Sequence, residues 1–374
     1  MKPEFSEFDF TCLQLARSEN VGKSTFFRLI EIFKTPQRAL EHLQELSSQG
    51  GLGRKIKIFS KQEVEKELLN VEKFGARIIN FFDSSYPYLL KNITDPAPVL
   101  TIKGNLELLK APTIAVVGPR NASFNGIAFA KKIAVDLGQN SIVTVSGMAR
   151  GIDSSVHEAS ILSGTVGVIA GGIDNIYPPE NAKLYENVAK HGLLISENPF
   201  GSLPKGGNFV QRNRIISGIS FAVIIVEAGI KSGSLITARY AAEQGREIFA
   251  VPGSPFDPRC HGTNRLIKEG ANMFETIDDV LVEMPNLQKR FGFVEKLSEP
   301  NFAEFSGPEI KVPVDEVAKV KKEILEKLNF STIEIQDIIN FLQVPVVLLN
   351  IALVELELAG KIEVNLGKVM LKAD

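Results

Sequence analysis

Hydrophobic residues along the chain follow two different spacings, which divide it into regions. Up to about Leu69 the apolar positions recur every three or four residues, with breaks at ENVGKS (19–24) and KTPQ (34–37). From Thr113 to about Glu283, short runs rich in Val and Ile alternate with amphipathic stretches. The spacing predicts an N-terminal helical domain followed by alternating β-strands and helices.

Six apolar runs define the predicted strands of the central region. Each run is almost continuously hydrophobic, which is typical of strands in a parallel sheet covered by helices on both faces. The pattern predicts an α/β fold with a doubly wound, mostly parallel sheet. The runs are TIAVVG (113–118), SIVTVSG (141–147), TVGVIAGG (165–172), GLLISE (192–197), FAVIIVEA (221–228) and EIFAVPG (247–253).

The last part of the chain contains three helical patterns and a two-stranded segment, KIEVNLGKVMLK (361–372), which together predict a winged helix. The third helical pattern carries Glu355 and Glu357 and no basic residue. We therefore expect this helix to face another protein or the chain's own α/β domain rather than duplex DNA. The predicted domains are residues 1–75 (helical), 76–284 (α/β), 285–313 (linker) and 314–374 (winged helix).

Composition limits the functional classes. The chain has 374 residues, enough for two or three domains, and a net charge of -2, which gives no overall attraction to nucleic acid or membranes. Anion binding therefore needs a local patch. Cys12 and Cys260 are too few for a disulfide framework. Without a signal peptide or a membrane-spanning apolar run, the sequence predicts a cytoplasmic protein with no membrane partner.

Small residues follow the predicted strands at the edge where doubly wound sheets bind ligands. Gly118 begins a turn before a helix, and Arg120 would add positive charge to an anion-binding loop there. The alternative is an ordinary turn with a solvated arginine. Ser146 and Gly147 form a similar small-residue turn after the second strand.

The segment after the fourth predicted strand combines basic and aromatic side chains on what is expected to be a flexible loop. Arginine can hold a phosphate with two hydrogen bonds and an aromatic ring can stack on a base, so this combination favours a nucleic-acid strand over a mononucleotide. The alternative is that the two arginines pair with acids inside the crevice. The candidates are Lys205, Phe209, Arg212, Asn213 and Arg214, and the acids are Glu197, Glu227 and Glu243.

Other motifs favour structure over catalysis. Asp153 is placed to cap a helix, and His157 follows it by one turn, where a structural hydrogen bond is favoured over a general base. The segment VGKST (21–25) resembles the end of a P-loop, but the glycine that a P-loop has five residues before Gly22 is replaced by Arg17. A small helical bundle or a helix-hairpin-helix-like unit explains it better. The histidines do not cluster, and neither a metal site nor a cofactor is expected.

Several of these motifs occur together and in order, and with them the chain resembles the DNA-processing protein A (DprA/Smf) family. The resemblance is close from Thr113 to about Leu281. It implies a Rossmann-like domain, preceded by a SAM or helix-hairpin-helix-like domain and followed by a winged helix. The motifs are SGMARGIDSSVHEAS (146–160), IYPPEN (176–181), ISENPFG (195–201), FVQRNRIISGIS (209–220), EAGIKSGSLITA (227–238), FAVPG (249–253) and GTNRLIKEGA (262–271).

The resemblance implies a protein that is not an enzyme. It would bind single-stranded DNA, protect it, and help load a RecA-type recombinase during recombination and natural transformation, as a homodimer through the Rossmann-like domain. Pro119 and the absence of a proline after Phe209 depart from the family pattern, and Pro119 removes one N–H donor from the first loop. The implied DNA-binding residues are Gly118, Arg120, Ser146, Gly147, Lys205, Phe209, Arg212, Asn213 and Arg214.

A nucleotide-binding or nucleotide-hydrolysing enzyme is the alternative. The chain has some similarity to the cytokinin-activating phosphoribohydrolases, in which a glycine-rich loop and an acid lie on a comparable sheet. Glu227, followed by Ser232, Gly233 and Ser234, could imitate that arrangement, but the run FAVIIV (221–226) that precedes Glu227 contains neither the consecutive glycines nor the threonine.

Overall fold

Helices and strands alternate through the centre of the chain, with helices before and after. The structure, a computed structural model, describes residues 6–51, 53–291, 314–328, 331–365 and 367–372. The helices are α1 (Glu7–Arg17), α2 (Lys23–Phe33), α3 (Pro36–Gln49), α4 (Lys61–Lys73), α5 (Tyr88–Lys91), α6 (Phe124–Gln139), α7 (Ile152–Ser160), α8 (Ala182–His191), α9 (Gly206–Gly218), α10 (Ser234–Glu243), α11 (His261–Lys268), α12 (Asp278–Arg290), α13 (Val314–Lys327), α14 (Ile335–Leu342) and α15 (Val346–Leu358). The strands are β1 (Arg77–Asn80), β2 (Val99–Gly104), β3 (Thr113–Val117), β4 (Val143–Ser146), β5 (Thr165–Ile169), β6 (Leu193–Ser196), β7 (Ala222–Ile225), β8 (Glu247–Ala250), β9 (Asn272–Met273), β10 (Ile333–Glu334), β11 (Ile362–Asn365) and β12 (Lys368–Leu371).

These elements belong to two compact units. One consists of Met1–Lys66, Ala97–Val99 and Pro300–Asp374, so the two ends of the chain fold together. The other consists of Glu67–Pro96 and Leu100–Glu299. The four predicted domain boundaries stay a prediction. Much of the predicted linker (285–313) lies outside the described residues, and its first part belongs to α12.

In the first unit, local signals set the helix ends. Ser6 and Asp9 form a capping box at the start of α1. Lys34 ends α2 in the left-handed conformation, and Thr35 caps α3 with Pro36 at its first position. The predicted breaks at residues 19–24 and 34–37 are therefore confirmed.

The C-terminal part of this unit contains the predicted three helices and hairpin, α13, α14, α15 and β11–β12. Strand β10 adds a third member to an antiparallel sheet of order β10-β12-β11. The winged-helix assignment stays a prediction. The expectation that the third helix would face another protein or the α/β domain is wrong, because α15 packs on α2 and α3 at the other end of the chain.

The second unit is built on a nine-stranded sheet of order β1-β2-β6-β5-β4-β3-β7-β8-β9. The seven neighbouring strands β6-β5-β4-β3-β7-β8-β9 all pair in parallel, and β2 pairs antiparallel with β6, so the Rossmann-like, mostly parallel sheet is confirmed. All six predicted strands are present, as β3 to β8. The chain leaves β3 towards β4 on one side and returns at β7 on the other, which creates a crevice between the ends of β3 and β7.

The apolar strands explain why this sheet is covered on both faces. Every residue of β3, β4, β5, β6 and β7 is buried. One core cluster packs Ile114, Val116 and Ile224 against α6, α7 and α12, and a second surrounds Leu194 and Tyr185. Among the described residues, no helix is both long enough and apolar enough to span a bilayer.

Candidate nucleic-acid interface

The basic segment after β6 is a helix, and the expectation of a flexible loop is wrong. Helix α9 runs from Gly206 to Gly218, with Lys205 as its N-cap residue. Its side chains therefore divide between a face towards the sheet and a face towards solvent. Arg212 and Arg214 are both buried, whereas Lys205 is exposed and Phe209 is half-buried.

Arg214 forms the buried ion pair that the sequence left open as an alternative. Its Nε lies 3.0 Å from Asp95 Oδ2, and its Nη2 pairs with the carboxylate of Glu197. Burial disfavours the charge, yet the carboxylates of Glu197 and Asp95 raise the pKa of the guanidinium. With 1% of its surface exposed, Arg214 has no face for a phosphate, which corrects its assignment as a direct DNA contact.

Arg212 is buried directly beneath the loop that follows β4. Its Nη1 donates to the carbonyl oxygen of Val168 at 2.6 Å. The pKa of Arg212 is lowered to about 10, mainly by burial; the Asp153 carboxylate opposes this shift, and the nearby charge of Arg120 adds to it. Among the described residues its Nε has no hydrogen-bond partner. Because it is 5% exposed, the side chain supports the loop from below, in contrast to the expected outward orientation.

Gly118, Ser146 and Gly147, three of the expected site residues, have structural roles in the packing of the loops at this edge. A Cβ on Gly147 would lie 2.0 Å from Arg212 Nη1, and a Cβ on Gly118 would lie 2.4 Å from the side chain of Ile152. Ser146 is fully buried and donates to the carbonyl oxygen of Val116 at 2.8 Å. The two glycines permit close packing at these points, and Ser146 joins β4 to β3.

The N-terminal end of α6, which the sequence suggested could bind an external anion, is occupied by Glu227. Its carboxylate accepts from the backbone N–H of Ser123 at 3.0 Å and from the Ser123 hydroxyl. Ser123 in turn caps α6 by accepting from the N–H of Gly126 at 2.8 Å. An internal carboxylate therefore lies in the crevice between β3 and β7.

Three exposed side chains and the half-buried ring of Phe209 form an aromatic-basic patch at this edge, consisting of Arg120, Arg150, Tyr177 and Phe209. The rings of Tyr177 and Phe209 lie 5.1 Å apart at 57°, and the Arg120 guanidinium lies 5.2 Å from the centre of the Phe209 ring. Tyr177 is 43% exposed, and Arg150 forms a solvent-exposed pair with Glu180 at 3.3 Å. The four side chains line a shallow pocket with Gly147, Ala149 and Pro178.

The remaining expected residues flank this patch. Lys205 precedes α9 by one residue and is exposed, so its charge lies one helical turn from Phe209. Asn213 is half-buried, and its side-chain amide donates to the carbonyl oxygen of Gly233 at 3.5 Å. Arg150 was not singled out from the sequence, although it lies in the motif that follows β4.

Asp153 and His157 have structural roles. Asp153 Oδ2 accepts from the N–H groups of Gly147 and Ala149 at 3.1 and 3.4 Å, so it holds the β4–α7 loop instead of capping α7. His157 Nδ1 lies 2.7 Å from the Thr165 hydroxyl, and its Nε2 accepts from Met148 N–H at 3.4 Å. The predicted hydrogen bond between helix and loop is confirmed.

Burial of His157 makes the stability of this unit depend on pH. Burial, followed by the nearby Arg212 charge, lowers the pKa of His157 from 6.5 to about 3. The unfolded chain therefore binds a proton at a higher pH than the folded chain does. Relative to a His157→Gln variant, the free energy of unfolding is therefore highest above pH 6.5. It decreases by about 1.4 kcal/mol per pH unit as the pH falls from 6.5 towards 3. Denaturant unfolding between pH 4 and 7 measures this difference, and His191→Gln, at an exposed site, is the control.

The comparisons with known proteins agree with this architecture. Residues 77–285, more than half of the chain, match the family model described as DNA recombination-mediator protein A. The chain belongs to this family. Residues 6–69 match the model described as a DprA-like N-terminal HHH domain, which agrees with the helix-hairpin-helix-like interpretation of the VGKST region.

Relatives with curated descriptions carry the same family name. The chain is 46% identical to DNA processing protein DprA of Bacillus subtilis over 214 residues, which is 56% of this chain and 72% of that protein. Identity to the Streptococcus pneumoniae DprA is 42%, over 57% of this chain and 75% of the relative. Protein Smf of Escherichia coli is 34% identical over 69% of each chain.

Two solved structures of family members superpose on this chain. The X-ray structure of Streptococcus pneumoniae DprA has a TM-score of 0.62 at 31% identity, covering 75% of this chain and 98% of that one. A structure of DNA processing protein A from Helicobacter pylori, which gives insight into its single-stranded DNA binding mode, has a TM-score of 0.52 at 29% identity. It covers 56% of this chain and 96% of its own.

Proposed function

We propose that the protein binds single-stranded DNA at the aromatic-basic patch and acts there as a recombination mediator. The observation that carries the proposal is the contact of Tyr177 and Phe209 with each other and with Arg120 at the carboxyl edge of the sheet. Membership of the family, and the single-stranded DNA binding of its Helicobacter pylori relative, support the choice of ligand.

The chemistry of the patch suits a single strand. Half-exposed rings offer faces on which unpaired bases can stack, a contact worth about 1–3 kcal/mol per base. Bases in a duplex are already stacked and do not offer those faces. Arg120, Arg150 and Lys205 are exposed around the rings and supply charge for the phosphates. Recognition should therefore depend weakly on sequence and strongly on strandedness.

Arg212 would act on the strand through the loop. Its guanidinium lies close beneath Gly147, which lines the shallow pocket with Arg120 and Phe209. Its charge also adds to the positive potential beneath the patch. In this proposal Arg212 and Gly118, Ser146 and Gly147 position the surface, while Arg120, Lys205 and Phe209 contact DNA.

We extend the proposal to the assembly implied by the family. A homodimer formed through the Rossmann-like domain would protect a bound strand, help load a RecA-type recombinase on it and serve natural transformation. Family membership supports this extension. Sedimentation of the chain and measurement of RecA filament growth on coated DNA test it, and a monomer with no effect on growth would contradict it.

A nucleotide-processing enzyme is less well supported. A nucleotide-processing enzyme would hold a phosphate in the crevice between β3 and β7. In this protein that crevice contains the carboxylate of Glu227, which accepts hydrogen bonds from Ser123. Glu227 therefore has a structural partner in place of a substrate. In the described part of the chain, His, Cys, Asp and Glu do not cluster in groups that could hold a metal ion. We propose a binding protein without catalytic residues.

Binding of a short fluorescent DNA of mixed sequence, as a single strand and as a duplex, tests the proposal. We expect tighter binding of the single strand, and a steep loss of affinity between about 50 and 200 mM salt because phosphate contacts release counterions. An affinity that does not change with salt, or a preference for the duplex, would contradict single-strand binding through phosphates.

Variants then locate the site. Phe209→Ala and Arg120→Ala should each weaken single-strand binding by about 1–3 kcal/mol, through loss of stacking and of a charge contact. Phe341→Ala and Arg239→Ala are matched controls, because both side chains are exposed and lie on other helices. If all four variants bind alike, the strand binds elsewhere. A hydrolysis assay on nucleoside monophosphates examines the alternative.

A further inference from the structure

Helix α15 is apolar apart from Asn350, Glu355 and Glu357, and other helices and a strand pack on more than one of its sides. Its residues from Leu348 to Leu358 are buried, apart from Asn350. Within the C-terminal domain it packs against α13 and β11, and from the other end of the chain α2 and α3 pack on it. Such a helix is stable only when other elements pack on its apolar sides, because water would otherwise contact a large hydrocarbon surface.

The contact between α15 and α2 includes a buried carboxylate of α15, that of Glu357, which reaches the start of α2. Glu357 Oε2 accepts from the hydroxyl of Thr25 and lies 4.0 Å from Arg28 Nη1. Glu357 Oε1 accepts from the N–H of Val364 at 3.3 Å, and a Cβ on Gly22 would lie 3.7 Å from it. A hydroxyl, a guanidinium and the first residues of a helix thus surround one negative charge, an arrangement that suits a phosphate oxygen equally well.

A second carboxylate joins the same surfaces. Lys321 of α13 pairs with Glu355 and also donates to the carbonyl oxygen of Gln49, the last residue of α3, at 2.6 Å. Asn20, just before α2, donates its side-chain amide to the carbonyl oxygen of Leu358 at 2.9 Å. These polar contacts therefore lie along the last turn of α15, from Glu355 to Leu358.

The C-terminal side of the contact is net negative, whereas the N-terminal helices that pack on it are close to neutral. Residues 315–374 contain seven Lys, no Arg and ten Asp and Glu, whereas residues 6–69 contain ten Lys and Arg and nine Asp and Glu. Buried carboxylates are costly to desolvate, and an apolar contact would bind more permanently. The pairs of Glu357 with Arg28 and of Glu355 with Lys321 thus favour a specific contact that an external polyanion can oppose.

We propose that the C-terminal domain is an autoinhibitory cover of the N-terminal helices, in which Glu357 occupies the place of a DNA phosphate. While α15 is docked, the N-terminal surface around Thr25 and Arg28 is closed to nucleic acid. When the cover opens, that surface binds the backbone of duplex DNA. This surface is separate from the aromatic-basic patch, and its probe is a duplex because the patch is proposed to prefer single strands.

The test uses the full chain with Glu357→Gln, which keeps a hydrogen bond to Thr25 and removes the charge opposite Arg28. We expect faster hydrogen exchange in α2 and α15, and at least about fivefold tighter binding of a short duplex at low salt. Glu363→Gln, an exposed position on the neighbouring strand β11, removes the same charge outside the contact and is the control. Single-strand affinity should stay within about twofold of the parent chain.

Two results would overturn the proposal: unchanged exchange in α2, or duplex binding by Glu357→Gln that does not exceed that of Glu363→Gln. If Glu357→Gln also exposes β11 and β12 to exchange, the C-terminal domain has unfolded. Thr25→Val then decides, because it removes the hydroxyl donor from the opposite side of the contact and leaves the C-terminal sequence intact. A gain in duplex binding by Thr25→Val supports the cover, and no gain contradicts it.

Discussion

Replacing Arg214 with Ala is expected to lower the free energy of unfolding of the Rossmann-like unit by about 3–5 kcal/mol. The side chain is 1% exposed and lies between the carboxylates of Asp95 and Glu197. Without the guanidinium, two buried negative charges face each other in a region of low dielectric, and the chain must protonate them or admit water. Urea unfolding followed by the far-ultraviolet signal measures the loss.

Two further variants make this result specific. Arg239→Ala removes an exposed arginine that pairs with Glu243 at 3.7 Å, and it should change stability by less than about 0.5 kcal/mol. The triple variant Arg214→Met, Glu197→Gln, Asp95→Asn removes all three charges and should recover most of the loss. If Arg214→Ala folds normally and weakens only DNA binding, Arg214 faces the ligand and our assignment is incorrect.

Gly147→Ala is expected to destabilise the same unit by about 2–4 kcal/mol and to weaken single-strand binding. The added methyl would lie 2.0 Å from Arg212 Nη1, in a place where the guanidinium is held by Val168 and Asp153. The arginine must move, which breaks its hydrogen bond to the Val168 carbonyl and releases the loop beneath the patch. Thermal unfolding and strand titration measure the two effects.

Gly207→Ala is the matched control for this substitution. Gly207 lies in the first turn of α9, and a Cβ there has nothing within 4 Å. The change should stabilise the unit by about 0.5–1 kcal/mol, because alanine loses less backbone entropy in a helix. Adding Arg212→Lys to Gly147→Ala shortens the obstructing side chain and should recover part of the loss. Equal effects of the two alanine substitutions would show that Arg212 moves freely.

The fold could be predicted where the sequence pattern is set by burial on both sides. The runs that became β3 to β8 are continuously apolar because helices cover both faces of the sheet. Strands β1, β2 and β9 were not predicted. β9 has two exposed residues, and β1 and β2 lie at the other edge of the sheet, so no repeating strand–helix pattern surrounds them. Contact between the two ends of the chain also leaves no signal in local spacing.

The sequence predicted which residues lie at the site, but not which of their side chains face the solvent. Helix α9 contains two buried arginines, so its polar residues do not mark the solvent side, and the segment looks like a loop. Only the positions of Asp95, Glu197 and Val168 show that Arg212 and Arg214 face inwards. Phe209 and Lys205 could be identified because basic and aromatic side chains together suit a nucleic-acid strand, and Arg120 because it adds charge to a glycine turn at the end of a strand. Arg150 lacked such a context in the sequence.

The carboxylate of Glu227 in the crevice has a consequence inside a cell. Free nucleotides and inorganic phosphate are abundant solutes, and an open phosphate pocket at the end of β3 would be filled by them. Because Glu227 already satisfies Ser123 and the start of α6, those solutes meet a negative charge instead of a free donor. We therefore expect small metabolites to leave the protein unoccupied, so that a long strand can bind without competition from the nucleotide pool.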